Sequence, residues 1–149
     1  VEIVAEMRAD CEPATLFAEI CDLERYGRWS PLVHRAERVS DDPAWEVELR
    51  TVVGPFARSK RLRMMRTGYE PDRLVVFERA EVDGRQHAPW TLRAELDHDG
   101  SSTGVRMTLH YGGSLWTGGA LKLVLDEQIK QGSERLRELV SDGSSRPKH

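Results

Sequence analysis

Three stretches of this chain alternate apolar and polar residues so regularly that a half-buried strand is the conformation that fits them. Each such strand leaves an apolar face that another element must cover. In Trp45-Glu46-Val47-Glu48-Leu49-Arg50-Thr51, the residues Trp45, Val47, Leu49 and Thr51 face one way and the charges face the other. Ala88, Trp90, Leu92, Ala94 and Leu96 repeat the pattern, as do Val105, Met107, Leu109 and Tyr111. Turn signals punctuate residues 33–112 at Ser40-Asp41-Asp42-Pro43, Gly54-Pro55, Glu70-Pro71-Asp72, Asp83-Gly84 and His98-Asp99-Gly100. Spacing of this kind predicts an antiparallel meander of about five or six strands.

The cover is written at the end of the chain. Leu121, Leu125, Ile129, Gly132, Leu136, Leu139 and Val140 recur at steps of three and four, which predicts an amphipathic helix of about five turns. Gly118 and Gly119 give it an irregular start, and Gly132 falls on the buried face, where a missing side chain permits close approach. At the other end, Val1, Ile3, Ala5, Met7 and Ala9 share one face of a further strand. Pro13 then opens a short helix with the stripe Leu16, Phe17, Ile20 and Leu23. A second helical turn over 23–28 ends at Trp29-Ser30-Pro31, because the residue before proline avoids the helical region.

The fold class expected is therefore α+β: a curved antiparallel sheet of about six or seven strands, two short helices after the first strand, and a long C-terminal helix across the sheet. At 149 residues the chain suits one core, expected over residues 1–142. Residues 143–149 lack an apolar anchor and are expected to form a disordered tail.

Hydrophobic residues make up 39% and charged residues 32%, the balance of a soluble globular protein. The net charge of −3, with Glu46, Glu48 and Glu95 on the strands, opposes nucleic acid as a partner. No apolar run approaches the roughly 20 residues of a spanning helix, and the first residues lack a signal-peptide plan, so a cytoplasmic location without stable membrane insertion is expected. Cys11 and Cys21 flank the first short helix, which holds their Cα atoms about 15 Å apart, so no disulfide is expected.

The order of elements, with the segment Asp22-Leu23-Glu24-Arg25-Tyr26-Gly27-Arg28-Trp29-Ser30-Pro31, resembles the helix-grip fold of the START-like (SRPBCC) superfamily. That superfamily includes the polyketide cyclase/dehydrase and lipid-transport proteins. The Trp90 strand, the run Gly104-Val105-Arg106-Met107-Thr108 and the long helix reached through Gly-Gly extend the resemblance over nearly the whole chain. It implies a cavity between the concave face of the sheet and the final helix, holding a hydrophobic small molecule such as a lipid or polyketide. The strand residues expected to line it are Leu49, Thr51, Leu62, Met64, Phe77, Trp90, Leu92, Met107, Leu109 and Tyr111. Trp29 and Trp116 are expected near its ends, and Leu121, Leu125 and Ile129 on the helix. Bulky inward side chains, Trp45 and Trp90 among them, compete with a ligand for the same space, so an open and a self-filled cavity both remain in play.

Two alternatives stand beside ligand binding: an enzyme resembling a polyketide cyclase or aromatase, and a protein-interaction module with a filled cavity. For the enzyme the candidates are Arg58 or Lys60 as the electrostatic group and Tyr111 or Glu78 as acid or base. Arg58 and Lys60 share a strand face with Leu62 and Met64, so either can reach toward a ligand carboxylate or phenolate. Glu78 shares a face with Leu74 and Val76, Phe77 with Val75, and alternation alone does not say which face is inner. His110 points away from the face of Met107, Leu109 and Tyr111. Gly112-Gly113-Ser114-Leu115-Trp116 lacks the second flanking glycine of a nucleophile elbow, and Asp97-His98-Asp99-Gly100 is ordinary turn chemistry, so neither a metal nor a cofactor is expected.

Overall fold

A computed structural model describes residues 1–39, 41–112 and 119–145. The chain runs through β1 (Glu2–Ala9), α1 (Pro13–Ile20), a 3₁₀ helix (Leu23–Arg28), β2 (Val33–Arg38), β3 (Ala44–Val53), β4 (Phe56–Glu70), β5 (Leu74–Arg79), β6 (Trp90–Asp99), β7 (Ser102–Tyr111) and α2 (Gly119–Ser145). Seven strands form one antiparallel sheet in the order β1-β7-β6-β5-β4-β3-β2. Consecutive strands from β2 to β7 pair with one another, through short turns except for the ten residues 80–89 between β5 and β6, and β1 closes on β7 with Ile3 opposite Leu109 and Ala5 opposite Met107. This is the helix-grip arrangement.

Local chemistry accounts for the elements. Pro13 occupies the first turn of α1, where its missing N–H leaves no bond unmade. Asp22 caps the 3₁₀ helix by accepting from the Glu24 N–H at 3.0 Å. Register shifts at Val33/Arg35 and Arg66/Gly68 mark bulges, which add bend and twist to the sheet. A β-carbon on Gly68 would stand 2.9 Å from Val76 Cγ2, so only glycine fits that bulge as it is packed.

The core lies between the sheet and α2, and the inner faces are those expected from alternation: Trp45, Val47 and Leu49, then Leu62 and Met64, then Trp90 and Ala94, all buried. On α2, Leu125, Leu136 and Val140 are buried and Ile129 and Leu139 pack against them. Gly132 faces Trp29 O and Pro31 Cδ, each 3.5 Å from where a β-carbon would be. The close approach predicted for this glycine is thus real, and it brings the helix onto the loop that follows the 3₁₀ helix. The helical backbone continues to Ser145, five residues past the end of the apolar stripe at Val140 and three into the expected tail. The expected tail is helical over those three residues, since backbone i to i−4 bonds need no apolar anchor to form; the rest of it lies outside the described residues. Cys11 and Cys21 are both free thiols.

Candidate functional site

The concave sheet, the 3₁₀ helix and α2 enclose an apolar cavity of about 110 Å³. β1 contributes Ile3 and Ala5; the 3₁₀ helix and the residues after it contribute Leu23, Tyr26, Trp29, Ser30, Leu32 and Val33. The sheet adds Val47 and Leu49 from β3, Leu62 and Met64 from β4, Trp90 and Leu92 from β6, and Met107 and Leu109 from β7. Ile129, Gly132 and Ser133 of α2 close it.

The polar atoms among these side chains are largely committed to the backbone. Tyr26 donates its hydroxyl to Ile20 O at 2.8 Å, Trp29 donates Nε1–H to Glu19 O at 3.3 Å, and Ser133 donates to Ile129 O at 3.0 Å. Burial first, and then the electrostatic influence of neighbouring Cys21 and Asp22, pushes the Tyr26 hydroxyl well above the usual tyrosine range, so it stays neutral. The 3₁₀ wall is held from outside by the buried carboxylate of Glu19, which accepts from Arg25 at 2.9 Å and from Arg28 at 3.2 Å. Apart from the Ser30 hydroxyl and the Trp90 indole N–H, what remains on the inner surface is hydrocarbon, aromatic ring and thioether.

Nine of the residues expected at the cavity line it: Trp29, Leu49, Leu62, Met64, Trp90, Leu92, Met107, Leu109 and Ile129. Four others are buried without lining it. Phe77 packs edge-on against Tyr26 and Trp45, with ring centroids 6.2 and 5.5 Å away, and so supports Tyr26 from behind. Tyr111 stacks on Trp90 at 4.8 Å, which puts Trp90 on the wall. Thr51 and Leu125 lie deep in the core, 1% and 0% exposed, away from the lining. Trp116 and the Leu121 side chain lie outside the described residues.

The four polar candidates separate. Glu78 is on the outer face, exposed and bonded to the Thr67 hydroxyl, because its neighbour Phe77 takes the inner face of β5. Arg58 shares the inward face with Lys60 and is the ladder partner of buried Thr51, yet it is itself exposed. Lys60 is half-buried, paired across the ladder with Leu49, its Nζ 5.9 Å from the centre of the Trp90 ring. Desolvation, reinforced by the Arg79 charge, holds its ammonium below the usual lysine value. The Tyr111 hydroxyl has no hydrogen-bond partner among the described residues, and burial followed by the Asp126 charge pushes it up. Among the described residues no cluster of His, Cys, Asp or Glu could hold a metal ion, and no helix is long and apolar enough to cross a membrane.

Sequence reasoning missed Ile3, Ala5, Leu23, Tyr26, Ser30, Leu32, Val33, Val47, Gly132 and Ser133 as wall residues. Ile3, Ala5, Leu23, Val47 and Gly132 stood on predicted apolar faces, but periodicity does not say which parts of those faces meet across the cavity.

The family described as polyketide cyclase/dehydrase and lipid transport matches residues 1–141. The chain belongs to that family. Among solved structures, a START superfamily protein from Mycobacterium smegmatis is 14% identical with a TM-score of 0.72, over 96% of this chain and 99% of its own. A protein from Thermus thermophilus is 18% identical at a TM-score of 0.70, covering 97% of this chain and 99% of that one. An aromatase/cyclase from Streptomyces sp. R1128 is 12% identical at 0.67, covering 95% and 94%. At these identities the likeness establishes the fold. Among curated proteins no sequence match is found.

Proposed function

We propose that the protein binds one hydrophobic small molecule in the cavity between the sheet and α2, with the acidic end of that molecule turned toward Lys60. The observation that carries the reading is the state of the wall. Tyr26, Trp29 and Ser133 spend their donors on backbone carbonyls and leave an apolar lining. Such a lining holds water poorly and takes apolar guests readily. An empty volume of about 110 Å³ also costs the fold about 2–3 kcal/mol at roughly 24 cal/mol per Å³. That is a large share of the 5–15 kcal/mol typical of a domain, and an occupant offsets it.

The volume is below the roughly 300 Å³ of an ordinary small-molecule site, so a lipid or polyketide must displace part of the wall. Met64, Met107 and Ile129 are suited to this, the two thioethers because they repack at little cost. Lys60 gives the ligand a direction: it is the cation of the predicted set nearest the cavity, poised over Trp90, which lines it. A cyclase would need acid–base groups on the wall. With Glu78 and Arg58 facing solvent, binding is the better reading.

Native mass spectrometry of freshly purified protein identifies any carried ligand. Titration with a medium-chain fatty acid and with its methyl ester, read by quenching of Trp29 and Trp90, tests the orientation. The acid is expected to bind up to about fivefold more tightly than the ester, and Lys60→Met to remove that preference. Absence of both a carried ligand and saturable binding would end the proposal.

A further inference from the structure

The β3–β4 hairpin ends in six residues without a polar side chain, Val52-Val53-Gly54-Pro55-Phe56-Ala57, and the ladder runs out to Val53 opposite Phe56. A tip of this composition should fold back onto the core, yet Val52 is 58% and Phe56 69% exposed. The neighbouring strands stop short of it, since β2 pairs with β3 only as far as Leu49, and β5 pairs with β4 only up to Met64. The tip therefore stands clear of the sheet on both sides. Beyond the Thr51–Arg58 pair it extends two further residue pairs, a reach of about 7 Å.

The charge around the tip is one-sided. Between residues 50 and 69 the sequence holds six cations, Arg50, Arg58, Lys60, Arg61, Arg63 and Arg66, and no carboxylate. Two of these are used inside the fold: Arg63 donates to Ala80 O and Arg66 to Cys21 O, both at 2.9 Å. Arg50 and Arg58 are exposed and make no ion pair among the described residues; Arg61, 80% exposed at its side chain, has Glu48 at 3.7 Å. Of the acids near this end, Glu81 pairs with Arg79 and Asp126 with Lys122, Asp83 is hydrogen-bonded to His87, and Glu2 stands across the sheet on β1.

The antiparallel topology brings two more apolar side chains to the same end. The β5–β6 connection carries Val82, 80% exposed, and the second turn of α2 carries Leu123, 72% exposed and next to Lys122. Val52, Phe56, Val82 and Leu123 are the most exposed large apolar residues of the described chain. Val52 and Phe56 leave opposite faces of the tip, since Val52 pairs with Ala57 and Phe56 with Val53, and exposed apolar side chains gathered at one end in this way point to an interaction surface.

We infer that this end of the protein docks on an anionic lipid bilayer, with the β3–β4 tip seated in the headgroup region and Arg50, Arg58 and Arg61 against the lipid phosphates. The dimensions agree: peripheral elements bury their apolar faces about 5–10 Å into the headgroup and acyl boundary, and the bare tip reaches about 7 Å. Cations flanking a small apolar wedge supply the second attraction that a stable peripheral association needs. The docked end is also the one where Trp90, with Lys60 over its ring, bounds the cavity, so a bilayer-derived molecule would meet the cavity from the membrane side.

The test is flotation of the full chain with vesicles of phosphatidylcholine alone and of phosphatidylcholine carrying about one-third phosphatidylglycerol. Binding is expected to the anionic vesicles and to fall with salt. Arg50→Gln with Arg58→Gln should weaken it about 25-fold, at roughly fivefold per cation, and Val52→Ser with Phe56→Ser at least about tenfold. All four positions are exposed, so unchanged thermal unfolding confirms that the variants keep the fold. Equal binding to both vesicle types, or no binding, would overturn the inference. So would loss of binding in the arginine variant with none in the Val52/Phe56 variant, especially if heparin binds as well, since that is attraction to polyanions in general. Ala5→Leu, which acts inside the cavity, should leave vesicle binding unchanged and so keeps this question apart from ligand binding.

Discussion

Ala5 offers a test whose sign depends on whether the cavity holds space that a side chain can use. It sits on β1 opposite Met107, and both line the cavity. Leucine there adds three carbons. If they enter unoccupied volume they contribute up to about 2.4 kcal/mol, at about 0.8 kcal/mol per buried carbon. Restricting the leucine side chain costs about 0.5–1 kcal/mol, which leaves a net stabilisation of about 1.5 kcal/mol. For a domain of this length that is a rise in Tm of about 3–6 °C. Urea unfolding checks the free energy independently and shows through an unchanged slope that the unfolding transition has kept its character. The same substitution should weaken the fatty-acid probe, because leucine and ligand compete for one volume. Destabilisation by about 1–3 kcal/mol, the usual result of overpacking, would refute the reasoning and mean that the wall has no room to receive a guest.

Gly132→Ala places its methyl at ordinary contact distance from Trp29 and Pro31 and should stabilise by up to about 1 kcal/mol through helix propensity, whereas Gly132→Leu should cost about 1–3 kcal/mol by lifting α2; chemical denaturation separates the two. Gly68→Ala drives a methyl into Val76 and should cost about 1–3 kcal/mol, most of it recovered in the double variant with Val76→Ala. Burial raises the Tyr26 hydroxyl above its unfolded value, so its contribution is fully present below about pH 10 and is lost as the pH climbs through and beyond that value. Unfolding measured from pH 8 to 11 should therefore show wild type losing more stability than Tyr26→Phe at the alkaline end, although the variant starts about 1 kcal/mol lower for want of the bond to Ile20 O.

What was legible in the sequence followed from periodicity. Alternation placed Trp45, Val47 and Leu49 inward and His110 outward, and the three-and-four stripe placed Leu125, Leu136 and Val140 under α2. Periodicity reports a face but not a depth along it. Thr51, Phe77 and Tyr111 lie on the correct faces, yet other residues stand between them and the cavity or they sit beyond its end. Glu78 was undecidable because both faces of β5 carry apolar residues, and it took packing of Phe77 against Tyr26 and Trp45 to turn the carboxylate outward. The 3₁₀ wall was harder still, because Tyr26 and Leu32 become wall residues only through the close seating of Gly132 against the Trp29 to Pro31 loop.

The cavity's two sides also differ in how they are held, and this decides where a larger guest makes room. The sheet side is fixed by continuous ladders from β1 to β2, so moving Leu49, Leu62 or Leu109 outward would strain paired backbone. The opposite side is a six-residue 3₁₀ helix and one face of α2, joined by apolar packing at Gly132. The Glu19 ion pairs tie the 3₁₀ helix to α1 instead of α2, and Arg25 and Arg28 are about half exposed, so these pairs hold the segment in place without anchoring it to the helix that would have to move. A guest larger than 110 Å³ therefore separates α2 from the Trp29 to Pro31 loop before it deforms the sheet. Hydrogen exchange on the liganded protein should accordingly change in α2 and the residues after the 3₁₀ helix, with β6 and β7 unaffected; changes concentrated in the sheet would place the compliance on the wrong side.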